Sequence, residues 1–149
     1  MDFFRDESFL LYVPLAAWMG GIFYLSSNRG SISSTLPFFL PALNRLFPGA
    51  GAEKMQRRFY VVRKLGHFAG YAVLALFASI AFYNSSLAAA ARVWYICAFA
   101  VVFVAAATDE MRQHFSSQRV VSVSDVALDC AGGLTMIFLF WLFAAGGFK

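Results

Sequence analysis

Four runs of apolar residues, each long enough to cross a bilayer, set the pattern of this chain. A helix needs about 20 such residues, within a usual range of about 17–25. Residues 9–25, 65–83, 88–107 and 126–143 meet that requirement, and they predict an all-α, polytopic membrane protein with four transmembrane helices. Asn84, Ser85 and Ser86 read as a tight turn between the second and third helices. The connection between the first and second is much longer, residues 26–63, and opens with turn formers Ser26, Ser27, Asn28 and Gly30. Inside it, Leu36 to Leu43 is apolar but too short to span, and Pro37 and Pro41 argue against a long regular helix. This piece is expected to be interfacial or re-entrant, ending in Asn44 and Arg45 at headgroup level, with an ordinary surface loop as the alternative.

Composition agrees with the pattern. The chain is 60% hydrophobic and 13% charged, against about 45–50% and 25% for soluble domains. Its 149 residues fit a single domain, 1–149. The net charge of +4 lies beside apolar runs, so anionic lipid headgroups, not nucleic acid, are the expected partners. Asp2, Asp6 and Glu7 against Arg5 are the wrong charge for a signal peptide, so the first run is expected to stay as an anchor. Cys97 and Cys130 fall inside apolar runs and read as packing residues.

Of the 12 Lys and Arg residues, Arg29, Arg45, Lys54, Arg57, Arg58, Arg63, Lys64, Arg112 and Arg119 lie in or beside the first and third loops. Only Arg5, Arg92 and Lys149 lie on the other side. The positive-inside rule therefore puts those loops in the cytoplasm and both termini outside.

Ionisable residues gather where the apolar runs begin and end. Charge near or within a bilayer is costly and usually marks function. Lys64, His67 and Tyr71 are three and four apart and share one helix face at the start of the second span. Lys64 alone reads as a snorkelling anchor. His67 lies a turn deeper, where it either satisfies a neighbour or shuttles a proton. At the end of the third span, Asp109 and Gln113 share a face, as do Glu110 and His114. Acids there oppose the helix dipole, so Arg112, Arg119 or Lys64 is expected to compensate. Asp125 by itself reads as an N-cap of the fourth helix. Asp129, one turn deeper, continues into a stripe through Gly132, Gly133 and Met136; it is expected to face the bundle interior. No metalloprotease histidine pair, P-loop or serine elbow occurs. Nothing calls for a cofactor, and two histidines without ligand spacing give only a weak metal signal.

Taken together, these residues resemble the VanZ-like family of small bacterial membrane proteins. Its pattern runs Lys-x-x-His-x-x-x-Tyr, then Asp-Glu-x-His-Gln-x-Phe-x-Pro-Gly-Arg, then Ser, Asp, Asn and Gly at fixed offsets. Lys64, His67 and Tyr71 match the first block; Asp109, Glu110, Gln113, Phe115 and Arg119 match the second; Ser122, Asp125 and Gly132 follow. Arg112 stands where histidine is common, Ser117 and Gln118 replace Pro-Gly, and Asp129 takes a position where asparagine is frequent. The family is named for an accessory protein linked to teicoplanin resistance, so the resemblance implies a role at the cell envelope, in the cytoplasmic membrane.

Three readings follow. In the leading one, Lys64 and Arg119, with Arg112, bind an anionic lipid or an envelope-precursor phosphate, and His67, Tyr71, Asp109, Glu110, Gln113, Asp125 and Asp129 complete the pocket. The alternative is a membrane-embedded hydrolase or transferase on a lipid-linked substrate, with His67, Asp109 or Glu110 as acid–base groups. In the third, the polar network only glues the helices together.

Overall fold

The computed structural model describes residues 7–26, 32–49, 51–117 and 122–146. Among them there is no strand. A 3-10 turn, Glu7–Leu11, leads into α1 (Tyr12–Leu25), followed by α2 (Ile32–Leu46), α3 (Ala52–Tyr83), α4 (Ala88–Arg92), α5 (Trp94–Ser117) and α6 (Val123–Ala145). Among the described residues, four segments are long and apolar enough to cross a membrane: Ser8–Leu25, Glu53–Tyr83, Trp94–Arg112 and Val123–Ala144. Pro14 sits in the first turn of α1, where proline is tolerated.

The long first connection and the start of the second span differ from their reading along the sequence. The stretch around Pro37 and Pro41 is a regular helix of 15 residues. The prolines are four apart and exposed, so the two lost hydrogen bonds fall on one outward face, where the freed carbonyls can meet water. The second span, in turn, starts well before Leu65: α3 has 32 residues, about 48 Å at 1.5 Å each, against a hydrocarbon core of about 30 Å. Its early turns are amphipathic, burying Met55 and Phe59 while Lys54 and Arg57 stay exposed. Phe59 meets Phe39 of α2 at a ring separation of 5.8 Å.

Helices α3, α5 and α6 form the packed centre. Ala75, Ala78, Ala98, Ala105 and Ala106 are buried there, small side chains that let membrane helices approach closely. Gly132 brings α6 against the backbone of Phe68 in α3, and Gly133 brings it against Val102 of α5. Lys64 faces Asp125, and Phe68 faces Gly132 one turn on, so α3 and α6 run parallel. Helix α1 leans chiefly on α3. Trp18 Nε1 donates to the Gly70 carbonyl at 2.9 Å, and Tyr12 packs edge-on to Phe82.

At the end where α3 finishes, Asn84 turns the chain and its Nδ2 donates to the Ile80 carbonyl at 2.8 Å. The third span is interrupted at Val93, which separates α4 from α5 and accepts the first hydrogen bonds of α5 from Ile96 and Cys97. Tyr83, Trp94 and Phe140 meet edge to face there, with ring separations of 5.2–5.9 Å.

Candidate functional site

At the other end of the bundle, the two ionisable constellations become one. Lys64 and His67 project from α3 towards Asp125 and Asp129 of α6, forming two rungs between parallel helices. The outer rung joins Lys64 Nζ to Asp125 Oδ1 at 2.9 Å, with side chains 34% and 40% exposed. The Lys64 ammonium also lies 5.0 Å from the centre of the Tyr60 ring. On the inner rung, His67 Nδ1 stands 3.7 Å from Asp129 Oδ2, and the Asp129 side chain is only 7% exposed.

Asp125 is therefore not the N-cap. Ser122 occupies that position, and Asp125, in the first turn, reaches across to Lys64. Its negative charge still suits the positive end of the α6 dipole.

Helix α5 supplies the third wall. Asp109 and Glu110 are both buried. They do not end the helix, as the apolar run alone indicated: α5 continues to Ser117, beyond the last-turn reach of the dipole. Glu110 Oε1 accepts a hydrogen bond from the Ser122 backbone N–H at 2.6 Å, tying α5 to the start of α6. Arg112 turns away to α1, donating from Nη1 to the Phe23 carbonyl at 3.2 Å. Gln113 lies on α5, but its side chain, like that of His114, falls outside the described residues, as does the whole of Arg119.

Tyr71 is 1% exposed and lies within electrostatic reach of Asp109, Asp129 and Glu110. His67 in turn lies within reach of Asp129, Asp109 and Arg63. Among the described residues, no three potential ligands are grouped to hold a metal ion. The Tyr71 hydroxyl and Asp129 Oδ1 have no hydrogen-bond partner among those residues.

Beside this cluster lies a cleft of about 570 Å³ between α1, α2 and α3, within the range of about 300–1,000 Å³ typical of ligand sites. Trp18, Ile22, Phe39, Phe59, Val62 and Val73 give it apolar walls, and Arg63 and His67 mark its polar side. His67 and Tyr71 thus belong both to the cleft and to the acidic cluster. The sequence pattern indicated the cluster but not the cleft. In the sequence Arg63 is one more charge of the long loop, and the cleft floor shows only as the spacing Gly66-x-x-x-Gly70.

Chemically, the arrangement sets an imidazole, backed by a buried carboxylate, into the wall of an apolar cleft with a guanidinium beside it. Lys64 is already matched by Asp125. A family model described as VanZ/LLP1 matches residues 9–144. No curated protein and no solved structure matches the chain.

Proposed function

The chain belongs to the VanZ/LLP1 family, and from that premise we propose that it binds the phosphate-bearing headgroup of an anionic lipid or lipid-linked envelope precursor in the bacterial cytoplasmic membrane. One observation carries the reading: His67 is shared between the charged cluster and the wall of an apolar cleft. An amphiphile is divided in the same way, with a charged head joined to a hydrocarbon tail. Arg63 supplies a planar fork suited to phosphate oxygens and His67 a second donor. Lys64 braces the site through Asp125, and Arg119 is a further cation for the headgroup. The excess of basic residues in the first and third loops supports a cytoplasmic position for this end of the bundle, with both termini outside.

Native mass spectrometry of gently solubilised protein, with extraction of the bound lipid, tests the reading. Wild type and an Arg92→Ala control, altered at the far end, should retain a phosphate-bearing lipid. Arg63→Ala and His67→Ala should lose it, and equal retention by all four proteins would overturn the proposal.

A second reading draws on the inner rung. A buried carboxylate 3.7 Å from His67 can fix the imidazole for general-base work, with Asp109 and Glu110 as further acid–base groups. The protein would then be a hydrolase or transferase acting on a lipid-linked substrate. It predicts that His67→Gln keeps lipid binding while turnover of the retained lipid stops.

A further inference from the structure

We propose that the cleft between α1, α2 and α3 is a groove for one acyl chain of an anionic glycerolipid, its depth set by Gly66 and Gly70. The inference rests on the headgroup reading above and specifies the hydrocarbon that accompanies that headgroup.

Small residues four apart in a membrane helix ordinarily let a second helix approach. That is how α6 uses its glycines: a Cβ on Gly132 would run into the Phe68 backbone, and one on Gly133 would lie 2.6 Å from Val102 Cγ1. Gly66 and Gly70 behave otherwise. A Cβ on either would meet nothing within 4 Å, although both line the cleft. Their missing side chains therefore leave room that none of the described helices fills. Trp18 holds α1 across the groove through the Gly70 carbonyl and packs edge-on to Phe77 at 6.0 Å, which keeps the walls apart.

The dimensions identify the occupant. From Arg63 to Val73, both on the lining, α3 rises about 15 Å. That is half of a hydrocarbon core of about 30 Å, the depth of one leaflet. A chain anchored at Arg63 and His67 would thus reach the midplane, as an acyl tail does, with its phosphate opposite the guanidinium. A polyisoprenoid would overrun the groove.

The test uses Trp18 as reporter. In a Trp94→Phe/Trp141→Phe background the remaining indole lines the groove. The protein is placed in nanodiscs containing either brominated-acyl phosphatidylglycerol or brominated-acyl phosphatidylcholine at equal mole fraction. Trp18 should be quenched more strongly by the anionic lipid, and Gly66→Leu should abolish the difference by filling the floor. Leucine favours helix over glycine, and an unchanged unfolding midpoint confirms that the variant is folded. Arg63→Ala should also lose the anionic preference. Undiminished preference in Gly66→Leu, with loss in Arg63→Ala, would overturn the groove and leave headgroup binding standing. No preference in the wild type would overturn both. Relief of quenching by a long-chain polyprenyl phosphate, but not by unbrominated phosphatidylglycerol, would overturn the acyl assignment.

Discussion

Gly132→Ala tests whether the close approach of α3 and α6 is what assembles the site. The new methyl would be driven into the Phe68 carbonyl oxygen, with the carbonyl carbon at 3.0 Å and Cα at 3.2 Å. A carbonyl inside a helix cannot rotate aside, so the helices must separate. Forcing an extra methyl into a packed interior costs about 1–3 kcal/mol, and rigid backbone places this site at the upper end. Helix propensity returns about 1 kcal/mol. The net loss of about 2 kcal/mol corresponds to roughly a 30-fold fall in the folded-to-unfolded ratio. Gly133→Ala is the internal comparison: its Cβ meets the Val102 side chain, which can shift, so the net change should stay below about 1 kcal/mol. Gly66→Ala meets nothing within 4 Å and should lose no stability. Reaction of Cys97 and Cys130, both free and partly buried, with a fluorogenic thiol dye during heating gives the unfolding midpoints. Carbodiimide coupling of Lys64 to Asp125, 2.9 Å apart, reports the outer rung directly and should fall in Gly132→Ala. If Gly132→Ala melts with Gly66→Ala and couples as well as the wild type, the helix contact does not hold the site together.

Three other perturbations separate the parts of the molecule. A Lys64→Ala/Asp125→Ala double-mutant cycle in chemical unfolding should give a coupling of about 0.2–1 kcal/mol, since this half-exposed pair is screened; a coupling well above that would mean a desolvated rung. Asp129→Asn should melt no lower than the wild type, because an aspartate in a membrane helix costs up to about 2.5–3.5 kcal/mol at the centre and less towards an interface, and it should still retain lipid. If His67 is a catalytic base, however, turnover should fall by orders of magnitude through loss of its orienting carboxylate. Trp94→Ala removes the centre of the far aromatic cluster and should destabilise by about 3–5 kcal/mol without changing which lipid headgroup survives purification; altered headgroup selection would show that the two ends are coupled.

Length and hydropathy made the four spans legible, and helical spacing made each half of the site legible. Lys64, His67 and Tyr71 had to share a face, as did Asp125 and Asp129. That these faces would meet is a tertiary fact, fixed by Gly132 against Phe68 and carried by no local pattern. Helix α2 was hidden by Pro37 and Pro41, whose breaking tendency depends on where the lost hydrogen bonds fall. The early turns of α3 were hidden by Lys54, Arg57 and Arg58, although Met55 and Phe59, four apart, already marked a buried stripe. Asp125 read as a cap because one helix alone offers it nothing better, whereas the folded bundle offers Lys64. The cleft was the least legible feature. Gly66-x-x-x-Gly70 has the spacing of a helix contact, and only the structure shows that no described residue fills the space beside it.

The contrast between the two ends of the bundle argues against polar glue. The far end closes with Tyr83, Trp94 and Phe140 edge to face, and the middle closes with alanines and the glycine contacts of α6. These apolar devices would hold the other end equally well. Side-chain hydrogen bonds between membrane helices average only about 0.6 kcal/mol, which does not offset the burial of Asp109, Glu110 and Asp129 together. The outer rung is half-exposed and contributes little, and Arg112 is committed to α1. A cluster that stabilises the fold so weakly, yet adjoins the ligand-sized cleft through His67, fits the proposed ligand site better than polar glue.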